Sequence, residues 1–259
     1  MGTELSTSYV NRLGDRLRKD KPQPSDVEAL DAFRRSFDEA QQTVVRKLRE
    51  LGLEPSVRIK TTISIVQKLK RESIRLSKLQ DVAGCRVVVN DVMEQDRVVG
   101  IISGAFAKAE VADRRRNPSH GYRAVHVIID VDRRLVEVQI RTELQHLWAE
   151  FSETLAGALD QSIKYGGGAP VIQENLLSTS ETIALIELGQ RRVRDGFNKQ
   201  QTISPAEFNK FLSAGQLPPS LIENLELVRD FTDLLQSEVE MKERINRDIL
   251  KLKSERQTS

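Results

Sequence analysis

Cysteine is nearly absent: the 259-residue chain has one, Cys85. A lone cysteine excludes a disulfide framework within the chain and a Cys-rich zinc site. It sits between Gly84 and Arg86 in an apolar run and reads as a small core residue. A large charge imbalance is also missing. Forty Lys and Arg against 38 Asp and Glu leave a net charge of +2, so bulk charge announces no nucleic-acid partner and any anion site must come from local clustering. Apolar runs are far too short to span a bilayer, and no apolar h-region of a secretory signal is visible near the start. The expectation is a cytoplasmic protein with no membrane contact. No internal repeat appears.

Hydrophobic content of 39% and charged content of 30% are ordinary for a helix-rich protein, and the length allows one sizeable domain with an appendage. Residues 1–24 are polar and end in Lys21-Pro22-Gln23-Pro24, a turn or linker. From Ser25 a helix is expected to about Leu51, with Leu30, Phe33, Phe37, Val44, Val45 and Leu48 on one face and Gly52 as its stop. Further helices are expected over 62–71 and 91–106. Strands are expected over 84–90, more weakly over 107–113, and as a hairpin of 123–131 with 135–141. Thr142 caps a helix to about Leu159, with Trp148 in its core. Residues 166–168 are all glycine and break the pattern, and 171–255 is mostly helical. The alternation argues for a mixed sheet flanked by helices.

The most informative segment is 136–141, Val-Glu-Val-Gln-Ile-Arg. Side chains alternate along a strand, so Val136, Val138 and Ile140 face one way and Glu137, Gln139 and Arg141 the other. Upstream, Arg58 and Lys60 share a side of an extended chain, and Ser64, Lys68 and Arg71 share a helix face that begins near Thr61, an arrangement able to hold a triphosphate. Taken alone, that face reads first as a solvated basic helix face. Asp81 precedes a strand, where a carboxylate can bind Mg²⁺ or simply make a turn. Arg86 can stack on a base or lie on the surface. Arg114, Arg115 and Arg116 open a basic loop that ends in Gly121-Tyr122, a phosphate grip beside a flat stacking surface. His126, in the next strand, is by itself more often structural than catalytic.

Together these pieces resemble the synthetase domain of the RelA/SpoT family, especially the small alarmone synthetases, over residues 25–168. The motifs that carry the resemblance are Arg58-x-Lys60-x-x-x-Ser64-Ile65-x-x-Lys68, Asp81-x-Ala83-Gly84-x-Arg86, His120-Gly121-Tyr122-Arg123-Ala124-Val125-His126 and Val136-Glu137-Val138-Gln139-Ile140-Arg141-Thr142, with Trp148-Ala149-Glu150 following. The resemblance implies an α+β fold, a mixed β-sheet of about five strands flanked by helices, nucleotidyltransferase-like; the helical C-terminal extension expected over 169–259 lies outside it. It implies ATP-dependent transfer of pyrophosphate to a ribose 3′-hydroxyl. Arg58 and Arg86 would sandwich adenine, and Lys60, Ser64 and Lys68 would hold phosphates. Asp81 and Glu137 would bind Mg²⁺, with Glu137 also the base. Tyr122 would stack on the acceptor base, with His126, Gln139 and Arg141 beside it.

The acceptor stays open between GDP or GTP, giving (p)ppGpp-type alarmones, and the 3′-terminal adenosine of tRNA, as in the toxic small synthetases. Guanosine-phosphate synthetases usually carry Lys and Asn before the Gly-Tyr pair, whereas Pro118-Ser119-His120 stands here. The Lys164-Tyr165-Gly166-Gly167-Gly168 segment also looks like the toxic branch, and Arg114, Arg115, Arg116 and Lys164 could grip an RNA backbone. A catalytically silent nucleotide- or RNA-binding module is the alternative from another class. Hydrolase chemistry is not expected, because none of His120, His126 and His146 is followed by Asp. The extension, with Val239, Ile245, Ile249 and Leu252 at helical spacing, reads as a helix packed by one narrow stripe, or as an element for homo-oligomerisation or for an inhibitory antitoxin.

Overall fold

The computed structural model describes residues 6–19, 22–199 and 219–257. They fall into two compact units. Among the described residues, the first holds those up to Val89 with 95–114 and 124–141, and the second holds 90–94, 115–123 and those from Thr142 onward.

The first unit contains α1 (Thr7–Leu17), α2 (Pro24–Arg35), α3 (Asp38–Glu50), β1 (Ser56–Ile59), α4 (Thr62–Arg71), β2 (Ala83–Val89), most of α5 (Val92–Ala105), β3 (Ala109–Asp113), β4 (Val125–Val131) and β5 (Arg134–Thr142). The strands form one mixed five-stranded sheet in the order β1-β2-β5-β4-β3. As the alternation predicts, Val136, Val138 and Ile140 are fully buried, and with Cys85, Val87, Val127 and Ile129 they meet Val44, Val45 and Leu48 of α3 and Val98 and Ile102 of α5. Asp132 and Arg133, both at positive φ (48° and 64°), close the β4–β5 hairpin with Val131 paired to Arg134. This left-handed two-residue turn matches the strand twist.

Two readings change. The helix expected from Ser25 to Leu51 is two helices, broken at Ser36 and Phe37, where the Ser36 hydroxyl donates to the Phe33 carbonyl at 2.6 Å. The halves serve different cores. Leu30, Phe33 and Phe37 pack with Ile65, Leu69, Leu76 and Val82, while Val44, Val45 and Leu48 pack on the sheet. A 3.6-residue periodicity marks a buried face but not which core buries it. The polar N-terminal segment also carries α1, whose Val10, Leu13 and Leu17 are buried in the α2 cluster. Arg18, just after α1, donates to the carbonyls of Leu69 (3.0 Å) and Ile74, and so holds the end of α4. Gly52 ends α3 at φ 77°, as expected.

The second unit contains α6 (Glu143–Ala158), α7 (Pro170–Lys199) and α8 (Pro219–Gln257). Thr142 caps α6 in a reciprocal box with Gln145. Trp148, Ile183, Ile186, Met241, Ile245 and Ile249 share its core. The stripe expected on the C-terminal helix is thus shifted: Met241 lies inside, and Val239 is exposed. Glu187 of α7 is buried and accepts from Thr142 Oγ1 (2.5 Å) and Gln145 Nε2 (3.0 Å), and burial pushes its carboxyl above the usual range.

Candidate active site

The face of the sheet opposite the α3–α5 core carries the site. In the β1–β2 ladder Ser56 pairs with Arg86 and Arg58 with Gly84, so Arg58 and Arg86 are diagonal neighbours on one face. A methyl built on Gly84 would lie 2.4 Å from the Glu137 carbonyl oxygen and 3.4 Å from the Glu137 Cβ. Glycine here lets β2 come close to β5, and it puts Glu137 on the face that holds the two arginines. Arg58, Lys60, Asp81, Gly84, Glu137 and Gln139 line one cleft.

At one corner of this cleft, Lys60 follows β1 and its backbone N–H continues the ladder to Val82 O at 3.2 Å. Thr61 caps α4 by accepting the Ser64 N–H at 3.2 Å, and its hydroxyl donates to Ser64 Oγ at 2.8 Å. Asp31, Arg34 and Thr62 tie that helix start to α2. Lys68, two turns into α4, turns toward the sheet. Asp81 Oδ2 accepts from Lys60 Nζ at 2.5 Å and from Lys68 Nζ at 3.0 Å. Burial opposes charge on Asp81, but the two ammonium groups outweigh it and hold the carboxyl below its ordinary value. Lys60 and Lys68, two of the three residues expected to hold phosphates, thus meet at one carboxylate, while Ser64 bonds to Thr61. Asp81 Oδ1 is buried with no hydrogen-bond partner.

At the other side, Glu137 is fixed by the pleat. His126 and Gln139 are cross-strand partners, and both reach Glu137: His126 Nδ1 lies 2.8 Å from Oε1, and Gln139 Nε2 donates to Oε2 at 2.7 Å. Arg141 Nη2 in turn donates to Gln139 Oε1 at 3.1 Å. Burial again opposes ionisation, and the His126 hydrogen bond, with help from Gln139, overcomes it, so Glu137 also sits below its ordinary value. His126, expected beside an acceptor, is in this structure a direct partner of Glu137. Gln41 was not anticipated from sequence. It is a buried α3 side chain whose amide donates to the Arg58 carbonyl (3.0 Å) and the Gly84 carbonyl (2.6 Å).

Arg114 is exposed just beyond β3 in the first unit. Tyr122, Arg115, Arg116 and Lys164 belong to the second unit. There Tyr122 is partly buried against the Trp148 cluster. Its loop is pinned from behind: Ser180 Oγ donates to Gly121 O at 2.6 Å, and a methyl on Gly121 (φ 85°) would lie 2.7 Å from the Trp148 ring. The His120 ring packs at Gly166, where an added methyl would lie 2.5 Å from it. His120, at the end of the basic loop, thus meets the Gly-rich segment.

Among the described residues, no cluster of three or more His, Cys, Asp and Glu side chains could cage a metal. Two carboxylates in one cleft, one with a free buried oxygen, instead suit a hard divalent cation that takes its other ligands from phosphate and water.

Residues 57–156 match a family model described as a region found in RelA / SpoT proteins. An uncharacterized protein of Mycobacterium tuberculosis is 40% identical over 112 residues, covering 42% of this chain and 41% of that protein. The match therefore spans less than half of that relative's length. GTP pyrophosphokinase YjbM of Bacillus subtilis is 27% identical over 162 residues, 56% of this chain and 72% of that protein. The crystal structure of small alarmone synthetase 1 from Bacillus subtilis has the same fold, with a TM-score of 0.52 at 24% identity over 66% of this chain and 100% of that one. The stretch that matches the RelA / SpoT region, residues 57–156, is the one that holds every residue lining the cleft, from Arg58 to Gln139.

Proposed function

We propose that the protein is a cytoplasmic pyrophosphokinase that moves the β- and γ-phosphates of ATP together onto a ribose 3′-hydroxyl, with GDP or GTP as acceptor. The observation that carries this reading is the cleft itself: a carboxylate held ionised by His126 and Gln139 shares it with the Lys60–Asp81–Lys68 corner. Arg58 and Arg86 take the adenine between them, and Lys60, Ser64 and Lys68 take the phosphates. Glu137 accepts the proton of the 3′-hydroxyl. The freed oxygen attacks the β-phosphorus, the bond from that phosphorus to the α–β bridging oxygen breaks, and AMP leaves with the electron pair. Such transfer depends on placement and charge neutralisation. Asp81 and Glu137 would hold Mg²⁺, which supplies neutralisation of the phosphate charge when bound. Gln139 and Arg141 continue the wall toward the acceptor. The name of the Bacillus relative, a GTP pyrophosphokinase, supports a guanine nucleotide.

A second reading keeps the chemistry and makes the tRNA 3′-end the acceptor. It is favoured by the packing of His120 on Gly166, which joins the Arg115–Arg116 loop to the segment holding Lys164. Incubation with Mg²⁺ and ATP labelled at the γ-phosphate, with GDP, GTP or tRNA offered separately, tests both. Label on GDP or GTP supports the first reading, and label on tRNA alone supports the second. Label on no acceptor defeats the enzyme reading and favours a silent nucleotide- or RNA-binding module.

A further inference from the structure

We infer that Gln41 is a positioning residue for the donor nucleotide, setting the height of Arg58 and of Gly84 from beneath the sheet. The inference rests on the reading of this cleft as the ATP site. Gln41 reaches from α3, on the core side, and is 4% exposed. Its single amide nitrogen spans two strands, donating to the carbonyls of Arg58 at 3.0 Å and Gly84 at 2.6 Å. Those residues are cross-strand partners, and both sit at functional points. Arg58 brings its guanidinium to the cleft lining, and Gly84 is where β2 closes on the Glu137 backbone. β1 is an edge strand, and all four of its residues are exposed. With one ladder and no covering layer over its side chains, it lacks the packing that fixes β5. The Gln41 amide is a specific tether that joins this edge to the body of the unit, and it lands on the residue whose side chain must meet the base.

The tether needs donors, not bulk. Gln41→Met keeps the length and apolar stem but cannot donate. Gln41→Glu places a carboxyl against two carbonyl oxygens, where only its protonated form donates, and burial beside two acceptors raises its pKa. In Gln41→Met the Kd of Mg-ATP, measured by calorimetry, and the KM for ATP should each rise about tenfold, while the KM for the acceptor stays within about twofold. In Gln41→Glu, ATP binding should be weak near about pH 8 and recover as pH falls toward about 6; Gln41→Met should show no such recovery. An unchanged ATP Kd in Gln41→Met, or equal loss of donor and acceptor use with no acid recovery in Gln41→Glu, would overturn the inference. If the wild-type protein binds ATP but transfers nothing, the pyrophosphokinase reading fails, and the ATP Kd of the two variants still decides the role of Gln41.

Discussion

Asp81 and Glu137 line the same cleft, and each is held below its ordinary carboxylate range against burial, yet their surroundings are opposites. Asp81 is held by two ammonium groups on long stems, Lys60 and Lys68, both on one of its oxygens. Glu137 is held through both oxygens by short side chains of the β4–β5 pleat, His126 and Gln139, the latter braced by Arg141. Lysine ammoniums can change partners at little cost in geometry, so under the proposed function incoming phosphates would draw them from Asp81 and leave it to a cation. A glutamate pinned in a pleat cannot move that way. One corner is built to exchange partners and the other to stay still, which is what the proposed function asks of a phosphate corner and a base.

The sharpest way to break this contrast is at the fixed side. Glu137→Gln keeps the shape and removes the charge; kcat should fall about a thousandfold while the Kd of ATP stays within about threefold, as read by steady-state kinetics and calorimetry. Next comes the contact that brings the two sides together. Gly84→Ala sets a methyl against the Glu137 carbonyl. The forced strand shift should lower kcat/KM about a hundredfold and cost about 1–3 kcal/mol of stability in denaturant titration. At the exchangeable corner, Lys68→Met should raise the KM for ATP about tenfold with a smaller change in kcat. The smallest effect is on pH. His126 lowers the Glu137 pKa, so His126→Ala should move the acid limb of the kcat profile to higher pH. The same sign governs stability. A depressed Glu137 contributes stability fully present above its unfolded value of about 4.3 and lost as pH falls through the folded value, and the variant should lose part of that acid-side slope in urea titrations at stepped pH.

The stable side of the contrast was legible in sequence because period-2 alternation is a local signal. Val136 to Arg141 showed both faces of β5, Thr142 the helical cap that follows it, and Ser64, Lys68 and Arg71 their shared face of α4. What escaped were pairings between distant segments. Gln41 looked like one polar residue on an amphipathic helix, and nothing local says that it reaches Arg58 and Gly84. His126 read as a strand histidine, because its partner is fixed by the β4–β5 register. The break at Ser36 and Phe37 was hidden because two cores were served by one continuous period. The apolar spacing of Val10, Leu13 and Leu17 could have revealed α1, but a polar background masked it.

The most direct test of the central claim is the co-product. With purified protein, Mg²⁺, ATP and GDP or GTP, phosphorus NMR and nucleotide chromatography should find one AMP for each acceptor that gains a 3′-pyrophosphate, and Glu137→Gln should form neither. Release of ADP with a singly phosphorylated acceptor, or of orthophosphate with the acceptor unchanged, would contradict it.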